Sequence, residues 1–307
     1  MVKNDCPPSE PDFVTVHHGG GVAKRPFFDA KGRFTTEKPI VDYEGLMHWN
    51  AAQAEIAHTL YHFEYPRGPG EYPVVHSPIA WILFDHRLPD GGAAGAVVLG
   101  IPHLYDTRFA HLLSSPSNEV GAEQLQILLT SAGQALRQYN QEGSTHRFPH
   151  LGNFTAGVVY SQLRPNLVTH LADLNATLPT HNPEKTSLIM TPTQYAAYLT
   201  HDVIRLLASL QDYGVESPRE RGYQAPAYKN YTRKYNGYAA LVGGYFGNIP
   251  TKRIDQLVYF LHKSEGNLNL FAEFMGHLRP ELENLIFAQG ITQINPKAKQ
   301  LAQRKRK

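Results

Sequence analysis

His58 and His62 stand four residues apart, and Glu55 lies three residues before His58. On a helix this spacing puts two imidazoles on one face, where both can ligate one metal ion. Glu55 would then serve as a third ligand or as a general base. The chemistry that follows is polarisation of a phosphoryl or carbonyl oxygen, or activation of a water. Zinc, iron and manganese are the candidate divalent metals, and haem held by an axial histidine is a further option. The pattern is not the HExxH of zinc proteases, because residue 59 is Thr. With Leu46 as zero, Trp49, Ile56, Leu60 and Phe63 fall at roughly 300°, 280°, 320° and 260°. That apolar stripe is expected to face the core. His48, Ala51, Glu55, His58, Thr59 and His62 take the opposite side, and no Lys or Arg occurs between His48 and Tyr65.

A second constellation is His201-Asp202, an adjacent pair that resembles the one in HD phosphohydrolases. The pair sits in a helical pattern. Leu199, Val203, Leu206, Leu207 and Leu210 form one stripe, and Ala197, His201, Ile204 and Ala208 form another on the far side. Two apolar sides predict a helix buried between neighbours, with His201 partly buried. His201, Asp202 and Glu55 are the expected catalytic groups. His146 and His150 form a third pair, in HRFPHLGN. Pro149 lies between them, so a loop or helix start is expected. The string shares His, Phe and Gly-Asn with the HxFxxGN core of the Fic family. One residue is inserted before Gly152-Asn153 and the following Gly and Arg are missing, which excludes membership. His18-Gly19-Gly20-Gly21 resembles a lipase oxyanion loop, but no GxSxG elbow accompanies it.

Residues 217–238 read SPRERGYQAPAYKNYTRKYNGY, with five Lys/Arg against one Glu and five interleaved tyrosines. Cations contact phosphates and aromatic faces stack on bases or sugars. Arg233, Lys234, Tyr231 and Tyr235 are therefore the expected contacts for an anionic substrate. The charge distribution agrees. Residues 41–145 hold four Lys/Arg against 11 Asp/Glu, a balance of −7, and residues 218–307 hold 15 against six, a balance of +9. The whole chain nets only +2. An anionic partner for the C-terminal third, whether a small molecule or nucleic acid, follows from this asymmetry.

The 307 residues, 42% hydrophobic and 18% charged, exclude a disordered chain, a coiled coil and a collagen-like repeat. A single cysteine, Cys6, excludes a disulfide scaffold and a Cys-based zinc knuckle. No apolar run reaches the length of a membrane span, and the N-terminus lacks a secretory pattern. Cytoplasmic residence is expected, and export by a specialised machine would leave the same pattern.

Several elements must position these residues. Residues 1–40, with three early prolines and a glycine run, read as an extended lead-in with a short strand at 13–16. A helix is expected over 43–65, and a hairpin near 79–85 and 96–101, turned by Pro89-Asp90-Gly91-Gly92. Helices are expected over 120–140, with Leu125, Leu128, Ala132, Leu136 and Tyr139 inward, and over 165–174, with Pro165 in the first turn. Thr191-Pro192-Thr193-Gln194 predicts a capping box opening a helix to about residue 212. Residues 217–236 read as a loop, and the glycines of 240–247 as a bend or a close-packing surface. Three short helices follow over 254–263, 268–278 and 280–288, broken at Gly266 and at Arg279-Pro280. Residues 291–307 form a basic tail. The expected fold is α+β and mainly helical, one domain over 41–290 with about eight helices and a small antiparallel sheet or hairpin. The expected function is a metal-dependent hydrolase or phosphoesterase acting on an anionic substrate. The alternatives are a non-catalytic protein that binds nucleic acid or another anion through its basic region, and a histidine-ligated haem or non-haem iron oxygenase.

Overall fold

The computed structural model describes residues 12–17, 47–68, 71–88, 91–102, 107–109, 122–161, 164–179, 181–182, 187–212, 237–247, 249–263 and 268–288. The expected anion contacts Tyr231, Arg233, Lys234 and Tyr235, the loop 217–236 and the basic tail lie outside these residues. Within them the fold is mixed, with helices and small antiparallel sheets. Six helices are present there rather than eight. No helix among them is long and apolar enough to cross a membrane.

The first sheet is built on β4 (Ala93–Pro102). The strand β3 (Ser77–Arg87) pairs with it on one side. The strands β1 (Asp12–His17) and β2 (Met47–His48) pair along the other, all antiparallel. The expected hairpin and N-terminal strand are thus present. Pro78 places the first hairpin strand at an edge, and that is where it lies, while β4 is enclosed. β3 is an edge strand that leaves Ile79, Trp81 and Leu83 exposed. Helix α1 (Trp49–Phe63) lies against β4, where small residues admit it. A Cβ on Gly95 would stand 3.0 Å from Trp49 Cε3 and 3.1 Å from the Ala52 Cβ.

The larger body is helical. It comprises α2 (Ala122–Gln141), α3 (Pro192–Asp212), α4 (Gly237–Phe246), α5 (Thr251–Lys263) and α6 (Leu268–Ala288). The α2 residues expected inward are all buried, and Gly143 follows the helix at φ 97°. They meet Leu199, Val203, Leu206 and Leu210 of α3, Leu241 and Tyr245 of α4, and Phe274 and Leu278 of α6 in one core. The capping box forms as expected. The Thr191 N–H donates to Gln194 Oε1 at 2.9 Å, and the Gln194 N–H donates to Thr191 Oγ1 at 3.3 Å.

Two expectations are corrected. Residues 165–174 are not a helix. Most of them form β8 (Arg164–Leu171), which pairs antiparallel with β7 (Phe154–Ser161). Pro165 faces Tyr160 near the hairpin end, where strand geometry tolerates proline as readily as a helix start does. The two-residue strand β5 (Thr107–Arg108) pairs with β7, and β6 (Ser144–Thr145) pairs with Leu178–Pro179. Second, the chain does not break at Pro280; α6 runs through it. Proline forfeits a backbone bond there. Arg253 of α5 spans the place, donating to the His277 carbonyl at 2.9 Å and to Glu281 Oε1 at 2.6 Å. Of the two alternatives for the glycine run, the close-packing surface holds and the bend does not: the run is helix α4, and its glycines let that helix touch α2.

This last contact is close. A Cβ on Gly244 would fall 2.1 Å from the Thr130 carbonyl oxygen, and one on Gly133 would fall 2.4 Å from the Leu241 carbonyl oxygen. Gly243 faces only Ile254, at 3.8 Å. Gly244→Ala is therefore expected to lower unfolding free energy by about 2 kcal/mol or more, as overpacking does. Gly243→Ala should be neutral or slightly stabilising, because alanine favours helix. Urea denaturation of the two variants measures both.

Candidate functional site

Asp202 is fully buried on α3, and its carboxylate is the point on which the site is built. Oδ1 accepts the Arg147 N–H at 2.7 Å, and Oδ2 accepts the His146 N–H at 2.8 Å. Oδ2 also accepts Asn140 Nδ2 at 3.2 Å. Burial pushes the Asp202 carboxyl up to about 7, and the N–H donors of His146, Arg147 and Asn140 oppose that shift. Asn140 binds the Ser144 carbonyl at 2.9 Å, accepts the Tyr245 hydroxyl on Oδ1 at 2.9 Å, and accepts the Tyr195 hydroxyl on its backbone carbonyl. Three helices thus converge on the loop that begins at His146.

The loop runs from His146 to Asn153 and ends in a single 3-10 turn at Leu151–Asn153. His146 is buried, and its Nε2–H donates to the Ala172 carbonyl at 2.8 Å. Burial lowers its pKa to about 4, so the ring is neutral. The Ala172 N–H donates to the Asn153 carbonyl at 2.9 Å. Asn153 Nδ2 donates to the Phe148 carbonyl at 2.9 Å, which turns the amide oxygen to the other side. The loop is also tied to α3 by the Leu151 N–H, which donates to Ser209 Oγ at 3.1 Å. Asp173 follows Ala172, half-buried and at φ 58°, and Arg147 sits at φ 72°. These are the non-glycine residues at positive φ among those described, and both flank this loop. Backbone held in the left-handed region costs free energy and is often retained where a side chain must be aimed.

The helix-face histidines lie on the other side of Tyr139. Glu55, Thr59 and His62 are buried, which corrects the expectation that this side of α1 stands away from the core. The helix is clasped from two directions. Ile56 packs toward β4, and the polar side faces α2 and the 3-10 turn at Leu174–Ala176. His62 Nδ1–H donates to Glu142 Oε2 at 2.6 Å, and its ring stacks on Tyr139 at 3.9 Å. Burial lowers its pKa and the Glu142 carboxylate opposes this. Arg67 completes the strap with a 2.7 Å ion pair to Glu142 Oε1. His58 is partly buried, and burial first and the charge of His62 second hold its pKa at about 4.

Of the expected site residues, one is in contact with Tyr139. His62 stacks on its ring, and the charges of Asp202 and Glu55 both push its phenol pKa up, behind the larger effect of burial. His58 adjoins His62. His201 does not join them. It is exposed, and its ring accepts Arg205 Nε at 3.4 Å. The second stripe of α3 was read as buried because it is made of small residues, yet Ala197, His201 and Ala208 all face outward. Among the described residues no group of three or more His, Cys, Asp or Glu is placed to hold a metal ion. Two further polar residues border this loop: Asn153, which closes the string that shares residues with the Fic core, and Asp173, just after the next hairpin, which was not singled out from sequence.

No family model matches the chain, and no curated protein matches it. Among solved structures it is similar to WaaP, in a structure described as WaaP in complex with acyl carrier protein. The likeness has 13% identity, covers 75% of this chain and 75% of that one, and has a TM-score of 0.39.

Two measurements test the network. Asp202→Asn keeps the shape but turns an acceptor into a donor facing N–H groups. It should cost about 1–3 kcal/mol of unfolding free energy, while His201→Ala, at the surface, should stay within about 0.5 kcal/mol of wild type. The pH dependence has a definite sign. His146 and His170 are buried with pKa near 4, whereas the unfolded chain takes up those protons near 6.5. Their contribution is complete above 6.5 and is lost as pH falls to 4, at about 1.4 kcal/mol per pH unit for each. Asp202, raised to about 7, works in the opposite sense between 7 and its ordinary value of 3.8. The net expectation is a loss of at least one histidine's slope, seen by urea denaturation between pH 6.5 and 4.5.

Proposed function

We propose that the loop 146–153 and the turn at Asp173 hold a divalent cation and the phosphate groups of a nucleotide. The observation that supports this is the bond from the Ala172 N–H to the Asn153 carbonyl, which pairs Asn153 with the residue just before Asp173. An amide oxygen and a carboxylate are hard donors, suited to magnesium, which usually takes one or two protein ligands and completes its shell with substrate phosphates and water. The order His-Arg, then Asn, then a hairpin, then Asp is the order in which kinase-type phosphotransferases present their metal ligands. The correspondence is one of site and order. The proposal keeps a metal and an anionic substrate, as expected from sequence. It moves the metal from His58, His62 and Glu55 to Asn153 and Asp173, because His62 Nδ1 is already committed to Glu142.

The cation would neutralise phosphate charge and orient the phosphoryl group. The chain's own residues do the rest. Asp202 holds the backbone of His146 and Arg147, His146 fixes the carbonyl before Asp173, and Asn153 is oriented by the Phe148 carbonyl. Phe148 occupies the position at which that class carries the carboxylate that accepts a hydroxyl proton. A phenyl ring cannot accept one, and general-base catalysis contributes about 10²–10⁴-fold. Binding is therefore the primary readout, and phosphoryl transfer, if measured, should be slow.

Titration with a fluorescent ATP analogue tests the proposal. Binding should require magnesium, and Asp173→Ala or Asn153→Ala should each weaken it at least tenfold. His58→Ala should leave it within about twofold, since a carboxylate and an amide hold the metal on this reading. Binding that ignores both magnesium and Asp173→Ala, or no binding at millimolar nucleotide, overturns it.

A further inference from the structure

The strand β3 has the sequence of an interior strand and the position of an edge one. Its run Ile79–Phe84 is six apolar residues long, and no charge occurs from Ser77 to Phe84. A half-buried strand alternates apolar and polar residues, whereas a continuous apolar run suits a strand enclosed by neighbours. Trp81 pairs with Val97 and Leu83 with Gly95, on the face that packs against α1, and Ile82 pairs with Ala96 on the other face. Yet Ile79, Trp81, Ile82 and Leu83 are 53%, 49%, 38% and 55% exposed. Of the nine large hydrophobic residues exposed among those described, these four share one strand, so the exposure is a patch rather than scatter. Among the described residues β3 pairs only with β4, and no described strand lies along its outer edge. Edges of this length are ordinarily guarded by charges or bulges. The bulges of β3 fall between Pro78 and Ala80 and between Leu83 and Arg87, and Asp85 and Arg87 stand at its end. The regularly paired stretch between the bulges carries no such guard.

We propose that β3 pairs antiparallel with β3 of a second copy of this chain, joining two sheets across a two-fold axis. An uncharged apolar edge offers a charged peptide nothing to pair with. Its match is another uncharged strand of the same length, and a two-fold contact supplies one from the same patch on each copy. With Trp81 on the axis, Ile79 meets the partner's Leu83. Asp85 then falls opposite the partner's Ser77 and Arg87 lies beyond it, so no like charges face each other. The area is sufficient. At these exposures the four side chains leave roughly 300–400 Å² of apolar surface on each copy. Two copies, with the flanking side chains and the backbone edge, bring the contact to about 1,000 Å², the lower bound for a specific interface. A reversible dimer is expected rather than a permanent one, and its formation needs neither nucleotide nor magnesium.

Sedimentation equilibrium of the full chain across about 1–100 μM tests this, with mass expected to rise from monomer toward dimer over that range. The paired run is uncharged and residues 41–145 carry a net negative charge, so added salt should hold or tighten the dimer. Trp81→Lys and Leu83→Lys should each weaken association about tenfold or more. Trp81→Thr, which keeps a good strand former in place, should weaken it as well. Thermal melts of these variants should match wild type, because both side chains are exposed. Tyr259→Lys, at an exposed position on α5, should leave association unchanged. A chain that stays monomeric at the top of the range, a dimer that salt dissolves, an affinity unchanged by both Trp81 variants, or an equal loss in Tyr259→Lys overturns the proposal.

Discussion

The carboxylate of Asp202 organises this molecule. It is buried without a cation beside it to neutralise it fully, and it is stabilised by N–H groups from a backbone turn and an amide. A buried carboxylate left short of donors would cost several kilocalories. The loop must therefore come to it, and His146 and Arg147 are held against α3 with Arg147 in a left-handed conformation. Everything placed on the loop inherits that position. His146 reaches Ala172, Ala172 reaches Asn153, and Asp173 follows. A local backbone constraint at one end of the loop is thereby transmitted to Asn153 at the other and, through Ala172, to Asp173.

A second buried charge system joins the two layers. Glu142 lies just past the C-terminal end of α2, where the helix dipole disfavours a negative charge. His62, Arg67 and Gln138 offset this with a ring N–H, an ion pair and an amide N–H. Two of those partners come from α1 and the segment after it, so the sheet layer is docked to the helical body through Glu142. This explains why a helix face rich in histidine is buried. Its polar groups are the contact surface between layers, stacked on Tyr139 on one side and spent on Glu142 on the other.

Much of the architecture was legible in the chain. The hairpin at 79–101, the α2 stripe through Tyr139, and the capping box at Thr191 are local patterns of period and turn chemistry, and they form as read. What failed was also local reading, applied where tertiary contacts decide. Pro165 carries the same φ in a strand as in a first helical turn, and only pairing with β7 chooses between them. Pro280 was read as a break because the compensating Arg253 arrives from another helix. Of the candidate site, the residue types were legible and their arrangement was not. Glu55, His62 and Asp202 were singled out by residue type, and all three are buried. His201, one residue from Asp202, points outward, since neighbours on a helix differ by about 100° and burial on two sides was inferred from small residues alone.

By itself the sequence determined the helices with a clear apolar period, the antiparallel hairpin, and the set of polar residues unlike a solvated surface. These depend on neighbours within a few turns, where hydrophobic spacing and capping suffice. Only the tertiary structure decided which polar residues share a site. Asn153 and Ala172, the residue before Asp173, are nineteen positions apart and are joined by one backbone hydrogen bond across the base of a hairpin. Arg147 and Arg205 both reach the Phe148 ring because a carboxylate on α3 holds the loop beside that helix. Such encounters follow from how layers close on buried charges, and no periodicity along the chain encodes them.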